Sequence, residues 1–314
     1  MKVLVTGANG FIGSQLIPQL IQSDNQVLAA VRNQLKDFKN PLVQVLKIEL
    51  AEQFDWSDSL VDVDAVIHLA ARVHVMNDNS SNPLSEFRRV NRDATIKLAQ
   101  QAAKAGVKRL IFLSTIKVNG ESTSGRLPFS EEDVCNPTDP YAISKLEAEQ
   151  GLMQIARNTD MEVVIIRPPL IYGPGVKGNF ASMIRWVGRG LPFPFGAVKN
   201  RRSLLALENL VSFIICSIDH PKAANQVFVL SDGEDISTSE LIQKLAHFQG
   251  KKAKLFSIPV PWMTFVARML GKGEVTDRLF GSLQLDSSKA RYLLGWSPVI
   301  SMDEQLKNMH DMER

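Results

Sequence analysis

Val3-Leu4-Val5-Thr6-Gly7-Ala8-Asn9-Gly10-Phe11-Ile12-Gly13 runs from a short apolar segment into glycines spaced three residues apart. The apolar run reads as a strand and the residues from Phe11 onward as a helix, so the glycines fall at a strand-to-helix turn. Glycines there let the backbone turn sharply and approach a pyrophosphate, which then faces the amides and positive dipole end of the helix. Gly13 allows that helix to pack closely on the strand. The loop therefore reads as a dinucleotide site built from Gly7, Asn9, Gly10, Phe11, Ile12 and Gly13. Asn9 stands where the GxGxxG form has its middle glycine, which sets this loop apart from that motif.

Outward from the loop, short apolar runs alternate with helical stretches. Segments 3–5, 26–31, 43–48, 65–69, 109–114 and 163–166 read as strands, most of them apolar throughout, as strands buried on both faces are. Segments 11–21, 85–105 and 141–158 read as helices, with Gly106 placed to end the second. Repeated β-α units predict an α/β fold with a doubly wound parallel sheet. After Pro168 the texture changes, with Gly173, Pro174, Gly175 and Gly178 in quick succession. A smaller mixed α/β unit is expected there. The division expected is 1–172, rejoined by about 204–232, for the first unit, and 173–203 with 233–314 for the second.

The 314 residues are 45% hydrophobic and 22% charged, a composition with ample material for a buried core. Lys plus Arg number 36 and Asp plus Glu 33, a net charge of +3 that gives no general case for nucleic-acid binding. Two distant cysteines, Cys135 and Cys216, argue against a disulfide scaffold or a cysteine metal site and fit a reducing compartment. No signal segment or membrane span is expected, nor any metal, and the protein reads as cytoplasmic.

The end of the second strand bears on the choice of dinucleotide. An acid there would bond the ribose hydroxyls and favour NAD. The sequence has Val31-Arg32 instead, and Arg32 can pair with a 2′-phosphate, which leans toward NADP(H), with NAD(H) the alternative. Tyr141-Ala142-Ile143-Ser144-Lys145 opens a helix and puts tyrosine and lysine one turn apart on one face. A nearby ammonium and a positive nicotinamide are expected to lower the tyrosine from its ordinary value of about 10. Ser114-Thr115 ends the preceding strand, where a hydroxyl can orient a substrate oxygen toward the tyrosine. His68 reads as a packing residue rather than a base, and His74 as a residue of the following loop.

Taken together, the TGANGFIG loop, Glu49-Leu50, His68-Leu69-Ala70-Ala71, Val90-Asn91, Leu113-Ser114-Thr115, Tyr141/Lys145 and Arg167-Pro168 through Tyr172-Gly173-Pro174-Gly175 resemble extended short-chain dehydrogenase/reductases of the nucleotide-sugar epimerase/dehydratase group. The resemblance spans nearly the whole chain. It implies a Rossmann unit plus a sugar-nucleotide unit, with Thr115, Tyr141 and Lys145 catalytic. To the cofactor it assigns Glu49, Leu50, Leu69, Ala70, Ala71, Asn91, Tyr141, Lys145 and Pro168 beside the glycine loop and Arg32. To the substrate it assigns Ser114, Thr115, Lys117, Asn179, Arg202 and, more weakly, Arg278, the arginines by facing phosphate oxygens. It also implies a homodimer formed through a four-helix bundle of the helices 85–105 and 141–158. Thr115 replaces the commoner serine and Glu49 the commoner aspartate.

Two reactions share these residues. A narrower resemblance, through segments 114–120, 178–182 and 280–284, is to bacterial O-antigen and capsule reductases. These convert UDP-4-keto-6-deoxy-N-acetylglucosamine to UDP-N-acetylquinovosamine. Together with Arg32 it makes an NADPH-dependent 4-ketoreductase the preferred expectation. An NAD-dependent 4-epimerase of nucleotide or lipid-linked sugars is the alternative, and a non-catalytic cofactor sensor the remote third. Pro261-Trp262-Met263-Thr264-Phe265-Val266-Ala267-Arg268-Met269-Leu270 is amphipathic. It is expected to be a lid or core helix of the second unit, with peripheral membrane contact the less favoured reading.

Overall fold

A computed structural model describes residues 1–32, 40–50, 54–73, 82–269 and 279–312. Seven parallel strands form the main sheet: β1 (Lys2–Thr6), β2 (Gln26–Val31), β3 (Val43–Lys47), β4 (Ala65–His68), β5 (Arg109–Leu113), β6 (Glu162–Arg167) and β9 (Gln226–Val229). Their spatial order is β3-β2-β1-β4-β5-β6-β9. The order reverses direction at β1, so the crevice beside the glycine loop is the topological switch point where such sheets take ligands.

Alternate residues of each strand bury against opposite layers. Val3, Val5, Ile111, Val164 and Ile166 join one core with α1 (Gly13–Gln22) and α6 (Leu207–Asp219). Leu4, Leu110, Phe112, Val163 and Ile165 join the other with α3 (Ala94–Lys104) and α4 (Pro140–Asn158). Gly106 follows α3 with φ +82, a value that glycine adopts without steric cost. Ahead of α3, α2 (Pro83–Phe87) continues through one π-helical turn, Arg88–Asp93. Arg88 and Arg92 both reach Glu147 on α4, tying the π-helical turn to α4 within that layer.

A three-stranded sheet, β10 (Asp235–Ile236), β8 (Arg202–Ala206) and β7 (Leu170–Tyr172), stands apart from the main one. It shares a third core with α5 (Gly178–Gly188), α7 (Thr238–Phe248) and Met302, Leu306 and Met309 near the C-terminal end. The chain rejoins the main layers through α6 and β9, β9 pairing with β6. Strand β8 stays with the small sheet, because it pairs with β7 and β10.

The helix α8 (Val260–Met269) has no buried residue, so it is not a core helix. Trp262, Phe265, Val266 and Met269 are all more than half exposed. Its apolar side faces outward because the third core closes without it. Among the described residues no helix is long and apolar enough to cross a membrane.

Candidate active site

Parallel pairing brings the C-terminal ends of β1 to β6 to one edge, and the sequence-marked residues follow those ends. The glycine loop leaves β1 and Gly7 has φ +70. A side chain at Gly7 would meet the Ala70 amide nitrogen at 2.9 Å, and one at Gly13 the Gly7 carbonyl at 2.4 Å. These two glycines let the loop lie against the end of β4 and let α1 start on top of the turn. The exposed Gly10 would meet only the Gly7 oxygen, at 3.0 Å, so its outer side is open to a ligand. Helix α1 begins at Gly13 rather than Phe11, and Ser14 N to Gly10 O opens its bond ladder. The amides of Phe11 and Ile12 precede that first bond, as an anion site at a helix start requires. The loop thus fits a dinucleotide pyrophosphate.

Arg32 follows the last residue of β2 and is exposed. Lys47 pairs with Val31, and Ile48 N donates to Val31 O at 2.8 Å, so Glu49 and Leu50 follow just past the end of the neighbouring strand β3. Beyond β4, Ala70 N donates to Thr6 Oγ1 at 3.2 Å, holding Leu69-Ala70-Ala71 against the loop. Asn91 lies in the π-helical turn and is buried. Its amide oxygen accepts from Arg72 N (2.8 Å), while its nitrogen donates to Arg72 O (3.0 Å) and Ser144 Oγ (3.1 Å). It thereby clamps the β4 loop to the helix that bears Tyr141. A π-turn turns one extra side chain inward at this point. Pro168, after β6, is buried and its carbonyl accepts from Ile116 N at 2.9 Å.

Asp139 caps α4 by accepting from Ala142 N at 2.7 Å, with Pro140 in the first turn. Tyr141 and Lys145 then share the buried side of that turn. The Tyr141 ring meets Phe87 edge-on at 6.1 Å. Its hydroxyl makes no protein hydrogen bond among the described residues. Lys145 is 1% exposed, with Nζ 3.8 Å from the centre of the Phe112 ring. Burial pushes Lys145 down to about 7, against the opposing pull of Glu149. Burial, and secondarily the Asp139 charge, pushes Tyr141 up to about 12. The expected lowering of Tyr141 is thus not a property of the chain alone, because burial and the Asp139 charge both act against the phenolate.

Thr115 Oγ1 accepts from Lys117 N at 3.3 Å, and its own proton is uncommitted to protein among the described residues. Lys117 is engaged by Asp139 and by Glu121, the latter at 3.1 Å. Ser114 points elsewhere: it is 4% exposed and donates to Glu149. Glu149 also holds Arg167 at 2.6 Å, and Arg167 donates to Asn119 Oδ1 at 3.1 Å. Sequence reading missed this cluster. The signal was Tyr141, Lys145 and Glu149 four apart on one helix face.

His68 is fully buried, with Nδ1 2.7 Å from Thr6 Oγ1 and Nε2 2.8 Å from Thr95 Oγ1. Burial, then the Lys145 charge, pushes it down to about 3. An unfolded histidine titrates near 6.5, so between those values the unfolded chain binds more protons. The stability owed to neutral His68 is complete above about pH 6.5 and is lost as pH falls toward 3. The loss expected is on the order of 4 kcal/mol. Urea unfolding across that range measures it, and His68→Asn should flatten the slope; an unchanged slope would contradict the assignment.

On the substrate side, Asn179 is exposed in the first turn of α5. Arg202 opens β8 partly buried and donates to Gly281 O at 3.0 Å. Burial lowers its pKa, and no carboxylate pairs with it among the described residues. An unpaired, desolvated guanidinium is costly unless an anion completes it. Tyr172 instead donates to Asp232 at 2.8 Å, and Asp232 accepts from Ala206 N at the β8–α6 junction. Arg278 and His74 lie outside the described residues. No group of three or more metal-ligating side chains occurs among the described residues.

A glycine loop at the switch point, with Tyr141 and a buried Lys145 one turn apart on α4, is the arrangement of a nucleotide-binding enzyme of the short-chain type. Residues 3–231 match the NAD dependent epimerase/dehydratase family, and the chain belongs to it. It is 45% identical over 308 residues to a UDP-glucose 4-epimerase of Vibrio cholerae, covering 98% of this chain and 93% of that one. Among solved structures it is similar to a UDP-glucose 4-epimerase from Thermotoga maritima with UDP-glucose (TM-score 0.81, 25% identity, 100% and 99% covered). It is also similar to MoeE5 in complex with UDP-glucose and NAD (TM-score 0.80, 26% identity, 100% and 99% covered). These likenesses favour the epimerase alternative over the 4-ketoreductase, and NAD over a preference for NADP.

Proposed function

We propose that this protein is an NAD-dependent 4-epimerase of UDP-sugars. The observation that carries the reading is the 45% identity to a UDP-glucose 4-epimerase along 98% of the chain, joined to a site whose tyrosine, threonine and lysine can serve it. Bound NAD supplies the acceptor and later the donor of a hydride at sugar C4. Tyr141 Oη takes the proton of the C4 hydroxyl and returns it to the C4 oxygen once the 4-keto ring has turned its other face toward the nicotinamide side, and Thr115 donates to the same oxygen to fix its position. Lys145, charged when a negative phenolate stands beside it, holds Tyr141 in that form. Arg202 supplies the guanidinium for the substrate's diphosphate. Glu49 is assigned to the adenosine end of NAD, and Arg32 is read as a surface cation.

The test is incubation of the purified protein with UDP-glucose, and separately with UDP-N-acetylglucosamine, without added cofactor. Interconversion with the 4-epimer and no net change at 340 nm is expected. Failure with both sugars, together with NADPH oxidation by UDP-4-keto-6-deoxy-N-acetylglucosamine, would restore the reductase.

A further inference from the structure

The surface around α8 is apolar and basic together. Segments 173–200 and 250–269 carry four Lys or Arg each and no Asp or Glu, in a chain whose acids and bases are otherwise nearly balanced. All of these cations are exposed, and none forms an ion pair among the described residues. The two segments are joined in space. Phe193 N donates to Lys254 O at 2.8 Å and Phe256 N to Phe193 O at 3.0 Å. Lys251 Nζ reaches the Gly188 carbonyl at the end of α5. The Trp186 ring lies 6.4 Å from that of Phe193.

Apolar side chains are exposed on the same two segments. Trp186 is 51% exposed, Phe256 47% and Trp262 66%. Trp262, Phe265, Val266 and Met269 recur at the helical spacing that lines one face, and Arg268 flanks them. Large aromatic side chains held in water beside unpaired cations are unfavourable for a free surface. They match the two layers of an anionic bilayer surface: headgroup phosphates for the cations and the acyl boundary for the rings.

We propose that this face docks on an anionic lipid surface, with α8 lying flat at the headgroup boundary. A nucleic acid would satisfy the charge but leave the aliphatic Val266 and Met269 unexplained. A second copy of the chain would bring the same uncompensated positive charge against itself. The proposal is independent of the sugar chemistry.

The test is co-sedimentation of the full chain with vesicles of phosphatidylglycerol and phosphatidylcholine, against vesicles of phosphatidylcholine alone. The expected result is at least about tenfold stronger partition to the anionic vesicles at low salt, lost near 1 M salt, where the screening length falls to about 3 Å. The double variant Trp262→Ser with Phe265→Ser should weaken partition about tenfold or more while melting like the parent, since both side chains are exposed and leave the core intact. The variant Lys251→Glu with Lys252→Glu should do the same and keep α8 unchanged. Equal partition to neutral vesicles, or none to either, overturns the proposal. So does a dimer that the α8 variant splits while vesicle partition is unaffected.

Discussion

Tyr141→Phe is expected to lower turnover by about 10² to 10⁴-fold, with little change in folding or in nucleotide content. The substitution removes one oxygen. The ring keeps its edge contact with Phe87 at 6.1 Å, and the hydroxyl has no protein partner among the described residues to leave unsatisfied, so stability should stay level or rise slightly. What is lost is the hydroxyl that exchanges the proton of the substrate. Burial holds Tyr141 up at about 12 and Lys145 down at about 7 in the chain alone. The pair becomes competent when ligand charge favours the phenolate and the phenolate in turn favours the ammonium. Steady-state turnover, a thermal melt and quantitation of nucleotide released on denaturation check this together. Retained turnover in a folded variant would assign the proton transfer elsewhere.

Glu149→Gln should be the most destabilising conservative change at the site. Glu149 and Arg167 expose only 4% and 7% of their side chains, and Ser114 donates to the same carboxylate. Removing one charge from a buried pair strands the other, at a cost of about 3–5 kcal/mol. Denaturant unfolding reads that cost. The pH profile separates this scaffold role from a second one. The Glu149 carboxylate favours the Lys145 ammonium, so its loss lowers the lysine further, and the alkaline fall in activity should start at lower pH than in the parent. A stability loss with an unmoved profile would leave Glu149 purely structural.

Much of this architecture was legible in the sequence. Strand β2 spans Gln26–Val31 as read, because an apolar run follows the turn-forming Asp24-Asn25. Helix α4 runs Pro140–Asn158, marked at its start by an Asp cap and proline. The glycine loop was legible because its glycine spacing and the strand and helix patterns around it are local, although the contact that requires Gly7 is with Ala70. Non-local features were not legible. The pairing of Glu149 with Arg167 joins α4 to β6, and Asn91 reaches the Arg72 backbone only through a π-turn. The balance of desolvation over charge at Tyr141 depends on packing that spacing does not convey. An amphipathic pattern such as Trp262 to Met269 shows that a helix has two faces but not which one is covered. The cofactor reading weighed Arg32 alone at one strand end, and the relatives support NAD(H), its alternative, without supporting a preference for NADP.

The central claim is that one hydride leaves sugar C4 and returns to the same carbon. The most direct measurement uses UDP-glucose deuterated at C4, in ordinary water, with no added cofactor, followed by NMR of the 4-epimer formed. Product with deuterium retained at C4 is expected. Product that has lost the deuterium to solvent, or folded and nucleotide-loaded protein that forms no epimer from this sugar or its N-acetyl analogue, would contradict it.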